Sequence, residues 1–400
     1  MKRQPINPLW ALSAATALVL GGCGASELDT ANGSLQSSSA ETAGVASATS
    51  DSEASGTDAT ADSSESEAED IDWTALPEQT TTLGSGVLTI TEGGTYTLTG
   101  GSTAQVIVST EDDVRLVLDG VHIISAEGAA IVVEQADNVE IVLADGSENV
   151  LEDAADRSDP EIDGTIYSTA DLTFSGSGTL EVTANYEDGI VTKDDLVISA
   201  GVITVNAADE GIRGRDSITV TGGEISISAG GDGLKTTNAE SLDKGIIHIT
   251  GGTITLDVGD DAIKAATTIT IDDGTIDILD SLEGIEAINI TINGGDITVY
   301  AADDGINAAA GDIAGEVYIA VNGGTIDVTV GSGDTDAFDA NGAIVITGGD
   351  ITVTAPTSSF DYDTTAEMTG GTIVVNGQQM TSIPESRMGG RGGGGTRPGG

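Results

Sequence analysis

A short phrase returns along most of this chain: an acid, then glycine or alanine, then a bulky apolar residue. It reads Asp188-Gly189-Ile190, Glu210-Gly211-Ile212, Asp232-Gly233-Leu234, Asp261-Ala262-Ile263, Glu283-Gly284-Ile285, Asp304-Gly305-Ile306 and Asp336-Ala337-Phe338. The steps between copies are 22, 22, 29, 22, 21 and 32 residues, so a 22-residue unit with insertions is the rule. Such a period is the signature of stacked units, each burying its apolar face only against its neighbours. Within a unit, apolar residues alternate on both sides of a glycine turn: Ile218 and Val220, then Thr221-Gly222-Gly223, then Ile225 and Ile227. Period-two alternation marks strands. The residue after the acid-Gly step supplies a third inward position per turn. The expectation is an all-β, single-stranded parallel β-helix with three short strands per coil and about a dozen coils, roughly 55 Å long at one strand spacing per coil.

Other repeat architectures fit less well. Leucine-rich repeats need Leu and Asn at fixed places, calcium-binding nonapeptide rolls need GGxGxD every nine residues, and left-handed β-helices need a hexapeptide period. Residues 75–165 have strand character with looser spacing, as expected of terminal coils that cover the end of a core. The expected domain therefore runs from 73 to 380.

The flanks differ from it. Residues 1–23 read as a lipoprotein signal: Lys2 and Arg3, an apolar run from Leu9 to Leu20, then Leu20-Gly21-Gly22-Cys23, which resembles a bacterial lipobox with Cys23 as the lipidated residue. The protein is then expected outside the cytoplasm, membrane-anchored at the bacterial cell surface, and without disulfides, since Cys23 is its one cysteine. Residues 24–72, built of Ser, Ala, Thr, Gly and acids, read as a disordered acidic tether, and 381–400 as a disordered Gly/Arg tail.

Charge narrows the partners. The chain carries 66 Asp and Glu against 13 Lys and Arg, a net charge of −53. Nucleic acid is excluded as a partner, because phosphate binding needs positive charge. If coils stack in register, the acids of the repeated phrase stand about 4.8 Å apart in one file. The alternative, that Asp-Gly merely makes a turn, does not account for the paired acids Glu187-Asp188, Asp209-Glu210, Asp260-Asp261 and Asp303-Asp304. With Asp232 and Glu283, these are the candidate metal ligands. Like charges at that separation repel by about 1 kcal/mol in water and several times that at a protein surface, which favours bound cations or raised pKa values. Calcium takes six to eight oxygen ligands and is the expected ion. Zinc and copper are disfavoured, since only His122 and His248 supply imidazole. His248, in Ile247-His248-Ile249, reads as an outward surface residue.

Bases are scarce and clustered. Arg213, Lys235 and Lys264 fill one slot of three consecutive coils, just after the third inward residue, while Glu286, Asn307 and Asp339 fill it later. With Arg215 they are the candidate contacts to a carboxylated sugar, guanidinium being able to grip carboxylate bidentately. The competing reading is charge compensation of the acid file.

The lipobox, the acidic Ser/Ala/Thr linker, the repeated [DE]-[GA]-[ILF] and [TN]-G-G-x-I-x-[IV] steps and the Gly-rich tail together resemble the clostridial cellulose- and pectate-binding β-helix proteins. The coil length also resembles the right-handed β-helix of pectate lyases. The resemblance implies a right-handed parallel β-helix, bound Ca2+, and binding of cellulose or polygalacturonate with no catalytic residue assigned. Three functions compete. The first is a surface-anchored carbohydrate-binding protein with an acidic or cellulosic polysaccharide as partner and no sign of an oligomer; aromatic platforms are few, with Trp73, Tyr186, Tyr300 and Tyr318 scattered. The second is a calcium-dependent polysaccharide lyase, which needs a cation at the uronate and a base. The third is a structural adhesin or ice-binding ladder, for which the slot after the Gly-Gly turn is too mixed: Glu224, Thr253, Thr275, Asp296, Thr325, Asp350, Thr372.

Overall fold

A computed structural model describes residues 71–384 of the chain, Asp312 and Asp334 excepted. Segment 1–23 with Cys23, the linker up to residue 70 and the tail from 385 lie outside the described residues. Apart from one 3-10 turn at Trp73–Ala75, the regular structure is all β. Its strands pair parallel, in a 24-stranded and a 12-stranded sheet. The exception is an antiparallel hairpin, Thr372–Val375 with Gln378–Met380, at the C-terminal end of the domain.

From Gly164 onward each repeat supplies one strand to the smaller sheet and two to the larger. In one repeat these are Ile212–Gly214, Ser217–Val220 and Glu224–Ala229. Upstream, the single long strand Val114–Ile124 does the work of two, pairing with both Asn138–Leu143 and Glu148–Glu152. Here the looser spacing of the first coils has its structural counterpart.

Register makes the core. Ile190, Ile212, Leu234, Ile263, Ile285, Ile306, Phe338 and Phe360 pair successively along the smaller sheet, all buried. The last two rings stack with centroids 4.9 Å apart. The long steps of 29 and 32 residues leave this register intact, since Leu234 still pairs with Ile263 and Ile306 with Phe338. Their extra residues are extruded between strands.

Two glycines per coil are needed for different reasons. The second glycine of the Gly-Gly turn, such as Gly223 or Gly295, has φ of +91°, where a side chain is strained. Gly211 of the acid-Gly step is not in that region; a Cβ there would stand 2.3 Å from Ile227 Cγ2 and 2.8 Å from the Gly233 carbonyl. The step is therefore a close approach of coil to core and not a left-handed turn, which corrects the turn-dipeptide alternative. Just before the Gly-Gly turns a polar ladder runs up the outside: Asn293 donates to Asp272 (2.7 Å), Asn322 to Asn293 (2.8 Å) and Thr347 to Asn322 (2.6 Å). Outward-facing His248 joins its foot, 2.7 Å from Asp272.

Candidate cation-binding corner

The acids of the repeated phrase form one file. Backbone bonds tie each step to the next: Gly189 N–H donates to the Glu210 carbonyl, Gly211 to Asp232, Gly233 to Asp261, Ala262 to Glu283, Gly284 to Asp304 and Gly305 to Asp336. Side chains reinforce them, with Asp188 accepting from the Glu210 N–H (3.1 Å), Asp232 from Asp261 (2.9 Å) and Asp304 from Asp336 (2.7 Å). The preceding residues make a second, outer file in the order Glu187, Asp209, Gly231, Asp260, Leu282, Asp303, so Gly231 and Leu282 interrupt it.

Three groups of carboxylates result along this corner, each with oxygens within 4.8 Å of one another: Asp188 with Asp209 and Glu210; Asp232 with Asp260 and Asp261; Asp261 with Glu283 and Glu286. Each group joins neighbouring coils, and Asp261 belongs to two of them. All donors are carboxylates, the set a hard cation prefers. Glu187, Asp303 and Asp304 stand in the files but join no such group. A fourth group, Asp171 with Asp194 and Asp195, lies at the starts of strands in the larger sheet, away from the file.

The bases face these acids. Arg213, Lys235 and Lys264 stand in register on the outer side of the smaller sheet. Arg213 Nε donates to Asp188 at 2.8 Å, and its terminal nitrogen also pairs with Asp163. Lys235 lies 2.5 Å from Glu210 and 2.7 Å from Asp232; Lys264 pairs with Asp261 and, at 2.5 Å, with Glu286. Each of the three thus bridges carboxylates of two coils. Arg215 is elsewhere, beside Asp216 (3.1 Å), which also takes Lys244 at 2.8 Å and Asn238 at 2.6 Å.

Burial dominates the electrostatics. Asp188, Asp232 and Asp261 are buried. Burial first, and then a hydrogen bond shared with Glu210, raises the Asp188 pKa. Burial opposes the shift of Glu210, but hydrogen bonds from Asp188 and Lys235 outweigh it and hold that carboxyl low. Asp261 is raised by burial and then by Glu286. Higher up, where no base remains, burial and the neighbouring acids Asp339, Asp303 and Asp336 push Asp304 to about 7, and burial with Asp336, Asp361 and Asp363 pushes Asp339 to about 6.

Asp163 was not among the residues expected here. Register sets Gly164 opposite Asp188 and Ile166 opposite Ile190, so glycine fills the acid slot of this coil and Asp163 stands one place before it; yet Asp163 holds Arg213 while its other oxygen is buried without a hydrogen bond. Glu286 was legible as a slot residue but not as a ligand.

Fold and corner together define a parallel-β repeat protein whose side wall carries a file of carboxylates. The chain belongs to the carbohydrate-binding domain-containing protein family, whose model matches residues 84–337 and 279–389. A carbohydrate-binding domain-containing protein of Acetivibrio thermocellus is 36% identical over 126 residues, which is 30% of this chain and 44% of that protein, so less than half of the relative is matched. A solved structure of the polysaccharide lyase-like protein from C. thermocellum, a gadolinium derivative, is 36% identical, with a TM-score of 0.47 over 57% of this chain and 88% of that one.

Proposed function

We propose that the chain is a surface-anchored carbohydrate-binding protein of the cell exterior, held by lipid on Cys23. Its coils form a right-handed parallel β-helix braced by Ca2+ at the acidic corner, and its ligands are acidic or cellulosic plant polysaccharides such as polygalacturonate and cellulose. The observation that carries this reading is the sharing of carboxylates between coils, in a family defined by carbohydrate binding. Asp209 and Asp260 are exposed, while their partners Asp188, Asp232 and Asp261 are buried. An ion there would have inner ligands fixed by the coil and outer coordination open to a sugar carboxylate.

The bases support binding over elimination. Arg213, Lys235 and Lys264 are each occupied by carboxylates, so none is free to act as the base of a lyase. Uronate would meet the protein through calcium and not through these side chains. The test is retention of the full-length protein on immobilised polygalacturonate and on cellulose, in calcium and in chelator. Retention on polygalacturonate in calcium and release by chelator are expected; failure to bind either polymer under both conditions contradicts the reading.

A further inference from the structure

The corner leaves one broad surface unexplained, the outer face of the third strand of each coil, the second that the coil gives to the larger sheet. Four consecutive strands there, Thr275–Asp280, Asp296–Ala301, Thr325–Val330 and Asp350–Thr354, turn two residues apiece outward near their starts. They read Thr275 and Asp277, Asp296 and Thr298, Thr325 and Asp327, Asp350 and Thr352. Pairing sets Thr275 against Asp296 and Asp277 against Thr298, and the exchange repeats at the next two interfaces. The result is a checkerboard: each of these four Asp has Thr directly above and below it, the flanking coils supplying Thr255 and Thr372.

These groups have no work inside the protein. Among the described residues, none of the four carboxylates is in an ion pair or side-chain hydrogen bond, and all but half-buried Asp277 are exposed. On the same face Tyr300 follows Asp296 and Thr298 at the strand period and is 43% exposed. Exposed Leu279 lies in the strand one coil below, and Leu282 follows it, its carbonyl accepting from the Asp303 N–H. An aromatic and two aliphatic side chains thus flank one edge of a flat array of acceptors and hydroxyls.

We propose that this face is a docking strip for an uncharged, β-1,4-linked hexose ribbon lying along the stacking axis. The inference rests on the carbohydrate-binding reading and assigns it a surface that adjoins the corner at Leu282 and uses none of its carboxylates. Charge complementarity selects the ligand class: unpaired carboxylates accept from sugar hydroxyls and repel a polyuronate. Geometry selects the linkage. In a β-1,4 ribbon each sugar is turned over relative to the last, so the same hydroxyl edge points alternately left and right. A hexose in such a ribbon advances by roughly 5 Å, close to one strand spacing of about 4.8 Å. The carboxylates alternate left and right coil by coil, so successive sugars meet equivalent acceptors. Tyr300 and its leucine neighbours offer an apolar surface to a sugar face, as a half-exposed tyrosine does in interfaces.

The test uses the full chain with cellohexaose, maltohexaose and an oligogalacturonate in calcium, by titration calorimetry. Cellohexaose should bind, and binding should fall at least about tenfold in Tyr300→Ala and in the exchange of Asp296→Thr with Thr298→Asp. That exchange keeps composition and net charge but lines up three carboxylates in one file with Asp277 and Asp327. Oligogalacturonate binding should be unchanged in both variants, and melting temperature unchanged in Tyr300→Ala and lowered only slightly in the exchange, which stacks like charges at an exposed face. Equal binding of maltohexaose, or cellohexaose binding that neither variant weakens, overturns the proposal. Binding of oligogalacturonate with none of cellohexaose overturns it while leaving the carbohydrate-binding reading intact; binding of no sugar at all overturns both.

Discussion

Two walls of the same coil handle acid charge in opposite ways. At the corner, carboxylates stand directly above one another, buried and tied to backbone N–H groups, to Arg213, Lys235 or Lys264, or to each other. On the flat face, one strand spacing apart along the same stack, none of Asp277, Asp296, Asp327 and Asp350 stands above another, because threonine separates each pair. Repulsion at one strand spacing is about 1 kcal/mol in water and grows as the site dries. The flat face avoids that cost; the corner accepts it where water is most excluded. A chain that alternates acids with threonine on one wall and stacks them on the other has a corner shaped by something other than chance acidity.

Removing compensation at the corner gives the largest effect expected. Arg213→Met should destabilise the domain by about 3 kcal/mol in chelator, since it strips the partner from buried Asp188 and from Asp163. Urea denaturation measures this, and added calcium should recover part of the loss. Gly211→Ala should cost about 2 kcal/mol by overpacking against Ile227 and the Gly233 carbonyl. If it is neutral in the same titration, the corner is not packed against the core as described.

A smaller effect is expected from pH. Asp304 and Asp339 titrate near 7 and 6 when folded, well above the ordinary aspartate value of about 3.9. The folded state therefore holds protons that the unfolded chain has released, and stability falls as pH rises from about 4 through these values. In chelator, melting temperature should be higher at pH 5 than at pH 8, and Asp304→Asn with Asp339→Asn should narrow the gap. A melting temperature that climbs over this range would reverse the assignment. The smallest effect belongs to the flat face: Asp327→Asn and Thr298→Ala should each change stability by less than about 0.5 kcal/mol. A larger loss by thermal melting would show that the face has structural partners after all.

Much of this is legible in the sequence, for a physical reason. A repeat with constant strand spacing turns positions 22 residues apart into neighbours, so the file from Asp188 to Asp304 and the slot shared by Arg213, Lys235 and Lys264 followed from counting. What those bases touch did not follow, because reach depends on side-chain direction: Arg213 goes back to Asp188 and Asp163, whereas Lys264 joins its own Asp261 to Glu286. Asp163 is hidden in the sequence because Gly164 fills the acid slot of its coil, and Arg215 shares the basic stretch of Arg213 although a two-residue step carries it to Asp216. The checkerboard escaped for a different reason. The slot after the Gly-Gly turn, taken alone, is an uneven mix of Thr and acid; its order emerges only beside the slot two residues later.

The most direct test is calcium titration of the full-length protein at pH 8, followed by calorimetry and thermal melting, beside a variant carrying Asp209→Asn and Asp260→Asn. Both side chains are exposed, so the fold should survive their loss. Saturable binding with a raised melting temperature, weakened at least about tenfold in the variant, is the predicted result. No heat and no change in melting temperature, or equal binding by both proteins, would contradict the cation-sharing corner.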